Sequence, residues 1–517
     1  MSDTRNVYLE YDKKRQELKA SLKSKKVEEL RAKGFYSAED RLRMLFDNGD
    51  YTEMTPWIKN RCLDFGMSTK NLGNEGVITS SGEIDYRPVY AYSNDSSIMG
   101  GSLGEAQGIK IGRLMDLAMQ TGAPVIGLND AAGARIQEGV AALHGYCATF
   151  GKFSIASGWI PQISIILGTC AGGTAYAAAL TDFIIMVNPR GKMFITGPAV
   201  IKSVTGEEVS FDQLGGSGVH SAVTGTVHFV AESEQDAMML ARYLLSFLPS
   251  NSKEKPPSYQ NADPINRKTP KIKEIVPDNQ NKAYDMKEII QEIVDNGDFL
   301  EVQKTFAQSM IIGFARMNGE SVGIVANQPK VMAGCIDINA AWKAARFVRF
   351  CDSFNIPLIT FADCPGYLPG IAQEHNGIIR NGSKMLFAYS EATVPKITVV
   401  VRKDYGGAYS AMCGKGLGAD LVLAFPTAEL AVMGAEGAAS ILFKNKIEKD
   451  PDIEAKKTAM VEEYKEKYLN PYRAAEYGIV DDVIDPADVR ERLISGLKMI
   501  KNKAVWTPFK KHSNIPL

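Results

Sequence analysis

Two turns in this chain have the composition of backbone anion holders. Asn129-Asp-Ala-Ala-Gly-Ala-Arg135 follows the apolar run Pro124-Val-Ile-Gly-Leu128, and Gly168-Thr-Cys-Ala-Gly-Gly173 follows Ile163-Ser-Ile-Ile-Leu167. The second turn opens a small-residue segment, Thr174-Ala-Tyr-Ala-Ala-Ala-Leu180, that reads as a helix. Glycine lets the backbone approach a ligand closely, and a helix start leaves N–H groups without partners. Two such turns side by side can converge their N–H donors on one oxygen. That is an oxyanion hole, suited to a carbonyl that gains charge as an enolate forms. The same glycines also suit plain helix–sheet packing, and one turn alone favours that use. Both turns occur twice in the chain, which favours the ligand-holding use.

Other chemistries lack their residues. No G-x-x-x-x-G-K-[ST] or G-x-S-x-G is present, so neither a phosphate loop nor a nucleophile elbow is predicted. His144, His220, His228, His375 and His512 are scattered, without metal-ligand spacing, and no metal site is expected. Glu138 and Glu374 follow the loops; catalysis, capping and loop solvation all remain open for them.

The elements that hold these turns form a repeat. Asn94 matches Asn327, Met99 Met332, Gly101 Gly334, Pro124 Pro357, Asp130 Asp363 and Gly133 Gly366, each 233 positions apart. One residue is then gained: Pro161 matches Pro395, and Gly172-Gly173 matches Gly406-Gly407, 234 apart. Such a ladder means two copies of one α/β domain, with strands and helices alternating in each. The stretch Ser250 to Pro277 is polar and broken by five prolines. It sets the expected organisation: residues 1–255 as one domain, 256–280 as linker and 281–517 as the second domain. Residues 8–33 carry Leu18, Leu22, Val27 and Leu30 at helical spacing and read as a surface helix.

The chain has 517 residues, 45% hydrophobic and 23% charged, with a net charge of -1. A disordered chain is excluded, and so is a general nucleic-acid binder, which needs an excess of Lys and Arg. The seven cysteines form no C-x-x-C pair and suit a reduced, cytoplasmic compartment. The apolar stretch from Trp159 to Val187 carries Pro161, Gly168, Gly172, Gly173 and Asp182, so it reads as strand–turn–helix–strand and not as a membrane span.

Longer motifs then point to a family. ARIQEG (134–139), LGTCAGG (167–173), FITGPAVIKSVTGEEV (194–209), ANQPKVMAGCIDIN (326–339), EATVPKITVVVRK (391–403), GGAY (406–409) and AVMGAEGAA (431–439) resemble the carboxyltransferase family of biotin-dependent acyl-CoA enzymes. The likeness runs over nearly the whole chain after about residue 40. FLPSN (247–251) and the closing KKHSNIPL bring it nearest to the methylmalonyl-CoA decarboxylase α and transcarboxylase branch, with propionyl-CoA carboxylase β subunits next.

The resemblance implies two tandem crotonase-like domains related by internal duplication. It implies that the first binds an acyl-CoA thioester, with Gly133, Ala134 and Arg135 on the substrate side and Gly172 and Gly173 at the hole. The second would receive biotin from a separate carrier protein, with Gly366, Tyr367 and Arg380 on that side and Gly407 and Ala408 at its hole. It further implies a homohexamer, a trimer of dimers, whose active sites join one subunit's first domain to another's second. The partner would be a membrane decarboxylase subunit or a biotin carboxylase subunit, the chain itself staying cytoplasmic and meeting a membrane only through that partner. Several positions depart from the family pattern: Ala131-Ala132 for Ser-Gly, Thr174 for Ala, Asn381 for His, and GFYSAEDR (34–41) for G-K-x-T-A-R-E-R. Ser410 stands where family members sort acyl chains. An inactive scaffold that binds CoA or the carrier is the rival reading of these altered loops.

Overall fold

The structure, a computed structural model, describes residues 2–21, 25–70, 72–448 and 450–516. It divides into two compact units, Met1–Glu254 and Lys255–Leu517. In the first, strands β1 (Tyr51–Met54), β2 (Val77–Ile84), β3 (Arg87–Asn94), β4 (Val125–Ala131), β5 (Gln162–Ala171), β6 (Phe183–Val187), β7 (Lys192–Phe194) and β8 (Phe229–Ala231) form one sheet. Its order is β1-β2-β3-β4-β5-β6-β8, with β7 beside the end of β5. The β1-β2-β3 edge is antiparallel; from β3 onward all pairs are parallel.

The second unit repeats this plan. Strands β9 (Phe299–Val302), β10 (Met310–Met317), β11 (Glu320–Asn327), β12 (Leu358–Cys364), β13 (Lys396–Tyr405), β14 (Leu421–Ala424), β15 (Glu429–Ala431) and β16 (Asp482–Val483) run in the order β9-β10-β11-β12-β13-β14-β16, with β15 beside β13. Every residue of β4 and of β12 is buried. Parallel strands covered on both faces select continuous apolar runs, which is why these segments show no alternation.

The repeat extends to backbone geometry. Met99 and Met332 both have φ 49°, although neither is glycine. A Cβ on Gly101 would stand 2.3 Å from the Asp130 carbonyl oxygen, and one on Gly334 would stand 2.4 Å from that of Asp363. The crossover helices Glu105–Thr121 and Ile338–Ser353 each bury a lysine at matched positions. Lys110 donates to the carbonyls of Asn74 and Val77 (3.0 and 2.6 Å), and Lys343 to those of Gln303, Phe306 and Met310 (3.0, 2.8 and 2.7 Å). Each lysine thereby ties down the loop that joins the first two strands of its sheet, β1 to β2 or β9 to β10.

Residues 256–280 lie along the second unit. The Tyr259 amide donates to the Gly319 carbonyl at 3.0 Å, the Thr269 hydroxyl to that of Pro486 at 2.8 Å, and Ile272 is buried in the core with Ile289 and Ile290. At the start of the chain, helices Ser2–Ser21 and Lys25–Ala32 bury Leu18 and Val27, while Leu22 lies outside the described residues. The stretch from Trp159 to Val187 is β5, a short helix Gly173–Ala179 and β6. Among the described residues no helix is long and apolar enough to cross a membrane.

Candidate active site

In each unit two adjacent parallel strands end in the turns singled out above, and one device aims them. The β4–β5 register shifts between Asn129 and Ala131, and the β12–β13 register shifts at the matched place, between Ala362 and Cys364. A bulge bends its strand and redirects the chain beyond it. The extra residues lie on β5 (167–169) and β13 (401–403); opposite them stand Asp130 and Asp363, and both carboxylates are buried and paired.

Asp130 accepts from Ser96 (3.0 Å), Arg41 (3.2 Å) and Arg190 (3.0 Å), and both arginines also bind Glu234, at 2.8 and 2.6 Å. Two cations thus balance two anions in this cluster. Gly168 makes room for it, since a Cβ there would lie 2.2 Å from Asp130 Oδ1. In the second unit the position matched to Gly168 is Arg402, which itself binds Asp363 at 3.0 Å, alongside the Tyr284 hydroxyl at 2.7 Å. The two copies therefore hold the same bulge with charges drawn from different places. Arg41, the last residue of GFYSAEDR, has its role here.

Beyond the bulges the turns match closely. Leu103 bridges to Ala134 and Ile336 to Tyr367, and Gly172 and Gly406 take φ 57° with ψ -126° and φ 56° with ψ -127°. Side-chain-bearing residues avoid that conformation, so glycine is required at both positions. The Gly172 amide donates to the Phe194 carbonyl (3.0 Å) and the Gly406 amide to that of Ala431 (2.9 Å). Gly172, expected as a donor at the hole, is thus the hinge of the turn. The backbone N–H groups of Gly133, Ala134 and Gly173 find no acceptor among the described residues, and neither do those of Gly366, Tyr367, Gly407 and Ala408. Each unit therefore presents free amides from both turns at the carboxyl ends of neighbouring strands.

A tyrosine ring covers the glycine of each hole, but from a different source. In the first unit Tyr146, on the helix Val140–Ala156, lies so close that a Cβ on Gly173 would stand 2.8 Å from its ring. Its hydroxyl bonds Thr174 Oγ1 at 2.7 Å. Burial pushes that phenol well above its ordinary pKa, while the Thr174 hydroxyl and amide pull it back. In the second unit the ring belongs to Tyr367 on the turn itself; a Cβ on Gly407 would stand 3.3 Å from it and one on Gly382 2.9 Å. Burial raises the Tyr367 phenol to about 12. Gly382, in IIRNGSK, lets this ring lie close against the helix Ile378–Glu391.

Arg135, expected on the acyl-CoA side, is fully buried and faces no open site. Its guanidinium binds Glu75 (3.1 Å), Glu138 (2.7 Å) and the carbonyls of Glu75 and Ser102 (both 3.1 Å). Glu138 in turn caps the Glu105 amide at 2.7 Å, so both groups pin the loop that carries Gly133 and Ala134. Arg380 is exposed on the helix Ile378–Glu391 and makes no ion pair among the described residues. Glu374 is exposed nearby. Asn381 is buried and donates to the Gly377 carbonyl at 3.0 Å, and Ser410 is half-buried on the short helix Gly407–Ala411. His228 accepts from the Ile184 amide at 3.1 Å, and among the described residues no cluster of three metal-ligating side chains occurs. Tyr146 was not singled out by sequence reasoning; one tyrosine in a helix has no signal until a glycine is seen beneath it.

Comparison with known proteins agrees with this architecture. The model of the carboxyl transferase domain family matches residues 30–515. Methylmalonyl-CoA decarboxylase subunit alpha of Propionigenium modestum is 52% identical over 493 residues, 95% of each chain. The carboxyltransferase subunit of propionyl-CoA carboxylase from Haloferax mediterranei is 52% identical over 485 residues, 94% of each chain. A crystal structure of transcarboxylase 12S, a hexamer with methylmalonyl-coenzyme A and methylmalonic acid bound, superposes with a TM-score of 0.96 at 49% identity, covering 99% of this chain and 98% of its own. The two units are accordingly tandem crotonase-like domains. By fold, by its duplicated turns and by sequence, this chain is an enzyme that belongs to the carboxyl transferase domain family.

Proposed function

We propose that the chain is the carboxyltransferase subunit that moves a carboxyl group between carrier-bound biotin and a short-chain acyl-CoA of the methylmalonyl or propionyl type. The observation that carries this reading is the twin set of free amides, one per unit, at the ends of adjacent parallel strands. Biotin, when its carrier delivers it, supplies the ureido group that gives or takes the carboxyl.

The amides of Ala134 and Gly173 hold the thioester oxygen. As the methylmalonyl group loses its carboxylate, the electron pair of the breaking C–C bond moves into the thioester to form an enolate, and these donors meet the charge on its oxygen. The enolate carbon then takes a proton, which bound biotin would supply from the ureido nitrogen that accepts the carboxyl. In the second unit the amides of Tyr367, Gly407 and Ala408 would hold the ureido oxygen, with the Tyr367 ring packed against Gly407 beside them. One donor of this kind is typically worth about 3–4 kcal/mol in the transition state, and this reading assigns no step to a side-chain base.

Relatives named for both the decarboxylase and the carboxylase support a shared reaction class with two physiological settings. In the first the partner is a membrane decarboxylase subunit, in the second a biotin carboxylase subunit. A homohexamer, cytoplasmic localisation, and Ser410 as a determinant of acyl preference belong to the same reading. The test is loss of the free carboxyl group from methylmalonyl-CoA by the purified protein with high free biotin, malonyl-CoA serving as comparison. Biotin-dependent turnover supports the proposal. Thioester binding with no turnover of either substrate, even with the native carrier, would leave the scaffold reading in its place.

A further inference from the structure

Next to the second-unit hole lies an acid that the reaction above does not use. Asp404 is the penultimate residue of β13, two positions before the Gly406 hinge, and its cross-strand neighbour on β12 is Cys364. It is 1% exposed, and its Oδ1 is buried with no hydrogen-bond partner among the described residues. Buried polar groups are nearly always satisfied, and a buried charge is costly unless it is paired.

Comparing the two units shows why the group is unusual. In the first unit the bulge cluster holds two acids and two arginines, and the position matched to Asp404 is the uncharged Cys170. In the second unit Asp363 and Asp404 have one arginine between them, Arg402, and it binds Asp363. The groups around Asp404 are Asp363 and Cys364 on β12, Tyr409 on the helix Gly407–Ala411, and Leu430 opposite it on β15. None of them is a cation.

We propose that Asp404 is a positioning residue that gates the second-unit hole by its charge: as a neutral acid it leaves the amides of Tyr367, Gly407 and Ala408 free to hold an oxyanion, and as a carboxylate it opposes that oxyanion. Burial, and then the neighbouring Asp363, push the Asp404 carboxyl up to about 8. Burial also raises Cys364, Cys335, Tyr367 and Tyr409 above their ordinary values, and it raises the Asp363 carboxyl against the pull of Arg402. Two residues lie between Asp404 and Gly407, so their Cα atoms are at most about 11 Å apart. At that distance, with an effective dielectric near 20, a like charge slows formation of an oxyanion on the order of tenfold.

The proposal rests on the carboxyltransferase reading, and two measurements keep them separate. The first is the pH profile of biotin-dependent decarboxylation from pH 6 to 9.5 for the wild type and Asp404→Asn. The wild type should lose about tenfold in kcat with a midpoint near pH 8, and Asp404→Asn should lack that alkaline fall. An identical fall in both proteins, or no fall in the wild type, overturns the gate.

The second is the melting temperature of both proteins over the same range and down to pH 4. A carboxyl raised in the folded state binds its proton there but not in the unfolded chain between about pH 4 and 8. The wild type should therefore lose stability relative to Asp404→Asn across that window, and the difference should level off above pH 8. A pH-independent difference shows that Asp404 does not titrate in this range and overturns the proposal. The expected melting difference with no turnover at any pH would instead overturn the functional reading, and the gate with it.

Discussion

Replacing Gly173 and Gly407 by alanine, one at a time, puts the same methyl group at matched points of the two repeats and should give unequal results. At Gly173 the new Cβ would lie 2.8 Å from Tyr146 Cδ1 and Cε1 and 2.9 Å from Cγ. That ring has little freedom to retreat, because its hydroxyl is bonded to Thr174 at 2.7 Å and Phe150 packs beside it, ring centres 5.7 Å apart. Overpacking of this kind costs about 1–3 kcal/mol, and alanine's better helix propensity offsets up to about 1 kcal/mol of it. The net loss is of order 1 kcal/mol, or about 2–4 °C in melting temperature for a unit of this size. At Gly407 the nearest ring atoms, Tyr367 Cδ2 and Cε2, would be 3.3 and 3.4 Å from the new Cβ, so a shift of a few tenths of an ångström suffices and stability should hardly change.

Activity should follow the same order. Moving Tyr146 disturbs the Gly173 amide, and loss of one such donor typically lowers kcat by about 10²–10³. Gly407→Ala should lose about tenfold or less. Thermal melting together with methylmalonyl-CoA decarboxylation on both variants checks this. Equal losses, or a larger loss at Gly407, would refute the claim that the two rings cover their glycines at different closeness.

Three further outcomes are expected. Arg135→Met leaves the Glu75 and Glu138 carboxylates buried without their cation and should cost about 3–5 kcal/mol in denaturant unfolding, against near zero if the arginine served only a ligand. Lys343→Met strands three buried carbonyls and Lys110→Met two; at about 1–3 kcal/mol for each unsatisfied group, Lys343→Met should be the more damaging by melting temperature. Thr174→Ala removes the partner of the Tyr146 hydroxyl and should cost about 1 kcal/mol in stability.

Much of the architecture is legible in the chain because its causes are local or repeated. Strands buried on both faces must be apolar throughout, so β4, β5, β12 and β13 stand out as runs. A hinge that combines φ near 57° with ψ near -127° requires glycine, so Gly172 and Gly406 mark their turns in both copies. Duplication then turns single weak signals into a register of matched residues. The family resemblance follows from the same motifs.

What only the tertiary structure decided are the partners of side chains far apart in sequence. Arg135 resembles a ligand-binding arginine in the motif ARIQEG, yet it is the buried pin of its own loop, because Glu75 arrives from 60 residues away. Arg41 and Glu234, 193 positions apart, meet beneath the first bulge. Tyr146 in one unit and Tyr367 in the other close over matched glycines from unrelated positions. Asp404 is a single charged residue near the end of an apolar strand, and its unpartnered Oδ1 appears only once the neighbours are in place. The physical reason is common to all four: backbone conformation is imposed by each residue's own covalent structure, whereas burial and charge pairing are properties of the packed interior and leave no local trace in the chain.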